Sequence, residues 1–109
     1  MPRRAAVAAT PENVMAKINA RWPGAMTLAN DPALEVRRIP TGIVEIDWLM
    51  GGGFAINRHT EMYGGSNVGK TYTAYRLIAN AQRIGYRCAM MDVEKSFDPL
   101  FAEHAGVDL

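Results

Sequence analysis

The sequence predicts an α/β fold with a parallel-sheet core, and three observations carry that reading. Gly64-Gly65-Ser66-Asn67-Val68-Gly69-Lys70-Thr71 fits G-x-x-x-x-G-K-[ST], a phosphate-binding loop, at every fixed position. Residues 59–63 before it read as a short strand. Residues 69–84 after it read as a helix, with Ala74, Leu77, Ile78, Ala81 and Ile84 at spacings of three and four, and Gly85 as the stop. Residues 86–92 then hold a continuous apolar run, 88–91, as a strand buried on both faces requires. Strand, loop, helix, strand is a βαβ unit, with a right-handed crossover and parallel strands.

The loop explains its own residue types. Glycines let the backbone curl and turn successive N–H groups inward into an anion-holding nest. Lys70 can set an ammonium on the β- and γ-phosphates of a nucleotide. The Thr71 hydroxyl can hold the Mg²⁺ that bridges the same two phosphates. The helix that follows adds the positive end of its dipole. A glycine-rich turn that binds nothing is the plain alternative.

Bulk properties exclude several classes. The 109 residues suffice for one small domain, and 49% hydrophobic with 21% charged side chains is a globular composition. A net charge of +1, from 12 basic and 11 acidic side chains, gives no electrostatic sign of nucleic-acid or membrane binding. No run approaches the roughly 20 apolar residues of a membrane span. The single cysteine, Cys88, excludes an intrachain disulfide, suits a reducing cytoplasm, and is expected to pack in the core. Arg3-Arg4 before a short alanine-rich run is too brief for a signal peptide.

Residues 1–9 read as a loose tail. Thr10-Pro11 reads as an N-cap followed by proline at the first helical position. Val14, Ile18 and Trp22 place one apolar face on that helix, and Pro23-Gly24 ends it. The face can pack on the domain behind it or on a neighbouring subunit. Residues 34–39 read as a short strand containing Arg37-Arg38. Ile43, Ile46, Leu49 and Met50 give a short helix ended by Gly51-Gly52-Gly53, a connector rather than a second phosphate loop. The division expected is 1–33, a tail and subunit-packing helix, and 34–109, the first part of a nucleotide-binding core.

Asp92 and Glu94 fall at the carboxyl end of the second expected strand, the rim where open α/β sheets bind ligands. Asp92 imitates the metal-holding aspartate of many ATPases. Glu94 can act as general base on a water in line with the γ-phosphate. Alternatively, both carboxylates cap the next helix, around 97–105.

Several segments together resemble the bacterial recombinase RecA family and its phage-encoded members. They are Pro40-Thr41-Gly42, Ile46-Asp47, Met50-Gly51-Gly52-Gly53, Glu61-Met62-Tyr63-Gly64, the phosphate loop, Ile78-Ala79-Asn80-Ala81-Gln82 with Gly85, Asp92-Val93-Glu94, Phe97-Asp98-Pro99 and Gly106-Val107-Asp108. The resemblance implies a P-loop NTPase core of RecA type. It implies ATP and Mg²⁺ as ligands, held by Gly64, Gly65, Ser66, Asn67, Val68, Gly69, Lys70 and Thr71. Glu94 would activate the attacking water, Asp98 would hydrogen-bond adenine, and Phe101 would stack on it where the family has tyrosine. Gly65, Ser66 and Asn67 depart from the family's proline, glutamate and serine, and Ile56-Asn57-Arg58 from its glycine-arginine turn. These departures point to a phage-type or divergent member.

The resemblance also implies a parent that forms homo-oligomeric filaments on single-stranded DNA in recombination, repair and the SOS response. The family's later metal strand and DNA-binding loops lie beyond Asp108, so the chain is expected to be an N-terminal piece. Two other readings stay open: a helicase-like or clock-type ATPase of the same superfamily, and a short product that binds nucleotide without hydrolysis and modulates an intact recombinase.

Overall fold

A computed structural model describes residues 10–109; the expected tail at 1–9 lies outside the described residues. Two compact units divide between Glu35 and Val36. In the first, α1 spans Pro11–Arg21. The Thr10 hydroxyl accepts from the Asn13 N–H at 3.3 Å, so the cap and the N1 proline stand as the sequence predicts. Trp22 closes the helix, its N–H donating to the Ile18 carbonyl at 2.8 Å. The Asn19 side chain donates to the Met26 carbonyl and accepts from the Met26 N–H, folding the chain back beyond the helix. No residue of α1 is buried, and Val14 and Trp22 of its apolar face stay exposed. A 3₁₀ turn, Pro32–Leu34, is capped by Asp31. It occupies the start of the strand expected at 34–39.

The second unit begins with what remains of that strand, β1, Arg38–Ile39. It pairs antiparallel with β2, Phe54–Ala55, Arg38 opposite Ala55 and Ile39 opposite Phe54. Between them, α2 spans Val44–Leu49. Gly53 lets the chain return: its φ is +116°, and a Cβ there would run into the Ile39 carbonyl. Arg38 donates to the Gly53 carbonyl at 3.0 Å and straps the same corner.

The entry to α2 is tied by one carboxylate. Asp47 Oδ1 accepts from the Thr41 N–H at 2.8 Å and the Thr41 hydroxyl at 2.9 Å, and Oδ2 accepts from the Gly42 N–H at 2.9 Å. Thr41 is fully buried, and its hydroxyl oxygen accepts in turn from the Ile43 N–H at 3.0 Å. Desolvation pushes the Asp47 carboxyl upward. The hydrogen bonds from Thr41 and Gly42 together outweigh it and hold the group below its usual 3.8.

Two further helices make the core of this unit. Helix α3 spans Lys70–Arg83 and α4 spans Pro99–His104. Tyr75 packs with Ala102 and Ala105, with Val107 against them. The buried side of α3 is Thr73, Tyr75, Ala79 and Ala81. The sequence expectation set Ala74, Leu77 and Ile78 on that side, but they are only half-buried, and Ile84 is exposed. The chain beyond Gly85 returns to α3 through two sets of side-chain bonds. Arg76 donates to the Ala105 carbonyl at 3.2 Å, and the Gln82 amide bonds both backbone groups of Asp108, at 2.6 and 3.0 Å.

The expected βαβ unit does not form. Residues 59–63 and 86–92 carry no strand, and the two-stranded antiparallel pair is the sheet found among the described residues. A strand must exchange its N–H and C=O groups with a neighbour, and here neither segment has one. Their apolar side chains face water: Tyr63 is 88% and Met91 93% accessible. Cys88 is exposed rather than packed in the core, for the same reason. Among the described residues no helix is long and apolar enough to cross a membrane.

Candidate functional site

The phosphate-loop motif leads directly into α3. Asn67 and Gly69 take left-handed backbone conformations, φ +57° and +92°. Gly69 is the N-cap, and no side chain caps the helix. The first N–H groups of α3 therefore have no side-chain acceptor of their own, which is what an anion at that end needs. One turn further on, the Thr73 hydroxyl and N–H both donate to the Gly69 carbonyl at 2.9 Å, fixing the helix start. Lys70 turns back over the loop, its ammonium donating to the Gly64 carbonyl at 3.0 Å and to that of Gly65. Those two carbonyls hold the ammonium over the loop.

A cleft of about 420 Å³ opens beside this turn. The loop side contributes Asn67, Val68, Gly69, Lys70 and Thr71. The opposite wall comes from α4 and the segment before it, with Ser96, Asp98 and Phe101. Proline at N1 and Asp98 at the N-cap explain why α4 starts where it does. Asp98 Oδ1 accepts from the Phe101 N–H at 3.1 Å, which leaves Oδ2 as a further acceptor. Asp98 and Phe101, 27 and 30 positions beyond Thr71 in sequence, thus share one cleft with Lys70 and Thr71.

Glu94 is not among the cleft residues; it is exposed in the segment between Met91 and Asp98. The cap of α4 is Asp98, not Asp92 or Glu94. Asp92 instead accepts from the Phe97 N–H at 2.7 Å, closing that segment into a turn. Gly64, Gly65 and Ser66 stand at the outer edge of the loop, all exposed.

Two cleft residues escape a reading based on motifs. Tyr72 and Tyr75, from the first turns of α3, line it as well. Tyr75 meets Phe97 and Phe101 edge-on, with ring centroids at 5.8 and 5.6 Å. Tyr72 lies near-parallel to Phe101, at 6.0 Å and 22°. The available signal was two aromatics three residues apart, one helical turn.

The unit is one of helices with a small two-stranded antiparallel sheet, and a glycine-lysine loop opens its longest helix. Residues 11–109 match the RecA N-terminal domain family, and the chain belongs to it. Protein RecA of Haemophilus ducreyi (strain 35000HP / ATCC 700724) is 40% identical over 85 residues, 77% of this chain. The chain spans 23% of that curated relative's length.

Proposed function

We propose that this chain is the ATP-binding part of a DNA-dependent ATPase, a recombinase that forms filaments on single-stranded DNA and promotes homologous pairing in recombination and repair. The observation that carries the reading is the single cleft shared by Lys70, Thr71, Asp98 and Phe101 at the open end of α3, in a chain of the RecA family. The donor set suits a nucleoside triphosphate with Mg²⁺. Lys70 exchanges the Gly64 and Gly65 carbonyls for phosphate oxygens, while the backbone from Gly64 to Gly69 with Ser66, Asn67 and Val68 encloses them. Thr71 supplies a hydroxyl to the metal. Asp98 Oδ2 accepts from the adenine amino group, and the Phe101 ring lies against the base. Mg²⁺, when bound, neutralises charge between the β- and γ-phosphates. Glu94 accepts the proton of the attacking water in the complete protein. Residues 59–63 and 86–92 become parallel strands there, once neighbours supply their ladders. DNA contacts belong to the parts of the parent outside these 109 residues, whereas α1 offers its apolar face to a neighbouring subunit of the filament.

Calorimetric titration with Mg·ADP tests the binding step. Lys70→Ala is expected to weaken it at least about tenfold, the loss of one charge-assisted contact; undiminished binding would remove the loop from the site. In the complete protein, Glu94→Gln is expected to keep ATP binding and abolish turnover. Normal turnover there would take Glu94 out of the mechanism.

A further inference from the structure

We infer that Tyr72 is a second base-holding residue, closing over the purine on the side opposite Phe101. This rests on the nucleotide-binding reading above and adds to it a residue that the phosphate-loop motif does not specify. Three observations carry it. Tyr72 and Phe101 come from different helices, yet line one cleft with Asp98, whose Oδ2 can take a hydrogen bond from a base edge. Their rings are near-parallel, 22° apart, with centroids separated by 6.0 Å. Each is 41% accessible, so each still offers ring surface to a ligand.

The two walls differ in firmness. Tyr75 is almost fully buried and sets an edge contact against Phe101, so the Phe101 wall is backed by the core. Tyr72 has no ring partner other than Phe101 among the described residues. A base between two rings needs about 7 Å from plane to plane, two van der Waals contacts of about 3.5 Å each. Rotation of the Tyr72 side chain about χ1, cheap for an exposed aromatic, opens that gap. Before binding, the two rings shield each other from water. Afterwards, each shields one face of the base. A purine presents the larger π-face, so the clamp favours purine over pyrimidine nucleotides.

Calorimetric titration separates base from phosphate. The probes are Mg·ADP and, lacking any base, inorganic tripolyphosphate with Mg²⁺. Tyr72→Ala and Tyr72→Leu are expected to weaken ADP about tenfold while leaving tripolyphosphate unchanged, and Tyr72→Phe to keep both. Unchanged ADP affinity in Tyr72→Ala overturns the clamp and leaves the nucleotide site standing. Equal losses for ADP and tripolyphosphate also overturn it, since Tyr72 would then only support the loop. If the wild-type chain binds neither probe, the nucleotide-binding reading fails and the clamp fails with it. Tyr72→Leu keeps apolar bulk on α3, so a loss in both variants is not a folding defect.

Discussion

Helices α3 and α4 and the two segments expected as strands, 59–63 and 86–92, end in opposite conditions. The helices close their backbone hydrogen bonds internally, so each needs only one apolar face covered, and Tyr75, Ala102 and Ala105 cover it. The segments need a partner along their whole length. Without one they leave Tyr63 and Met91 in water. Local hydrogen bonding and caps order the first pair; only non-local ladders can order the second.

The sharpest break of that contrast is at Tyr75. Tyr75→Ala should cost about 4 kcal/mol of stability, read from urea unfolding, because it opens the contact between the two helices. A loss no larger than that of a surface change would mean the helices stand without it. Asp47→Ala should cost about 2 kcal/mol, the hydrogen bonds of one carboxylate to Thr41 and Gly42. Its pH signature has a definite sign. The folded group titrates below the usual 3.8, so its stabilisation is complete above that value and is lost as pH falls through the lower folded one. Unfolding midpoints measured down the acid limb should fall more gently in the variant than in the wild type. Met91→Ser should shift stability by less than about 0.5 kcal/mol, since nothing packs on that side chain. A larger loss would show that residues 86–92 are already ordered by packing.

The same division decided what could be read from sequence. Thr10-Pro11, the span of α3, the glycine stop at Gly85 and a helix after Phe97 were all legible, because caps and periodicity are local. The face of α3 was not. Spacing alone favoured Ala74, Leu77 and Ile78, whereas α4 settles against Tyr75, a residue half polar by composition but almost wholly buried. The Thr41–Asp47 tie was present as quoted residues without a physical role. Its cause is a carboxylate reaching back five and six positions, past the start of α2, which no apolar pattern records. Cys88 and the strand around it were misread because an apolar run says that a segment can be buried and says nothing about whether a neighbour is there to bury it. In the site, the loop was legible position by position. Asp98 and Phe101 came through resemblance, and Tyr72 came only from ring geometry.

The Gln82–Asp108 pair has a mechanical consequence. Helix α3 is a strut of 14 residues, about 21 Å long. Lys70 rides at one end, and Gln82, one residue from the other, is clasped to the chain 26 positions later. The intervening stretch, Glu94 and Asp98 included, is therefore a closed hoop anchored to the far end of the rod. Tilting the rod at its loop end moves the hoop's anchor by leverage, so Lys70 at one end of α3 is linked mechanically to the stretch anchored at the other.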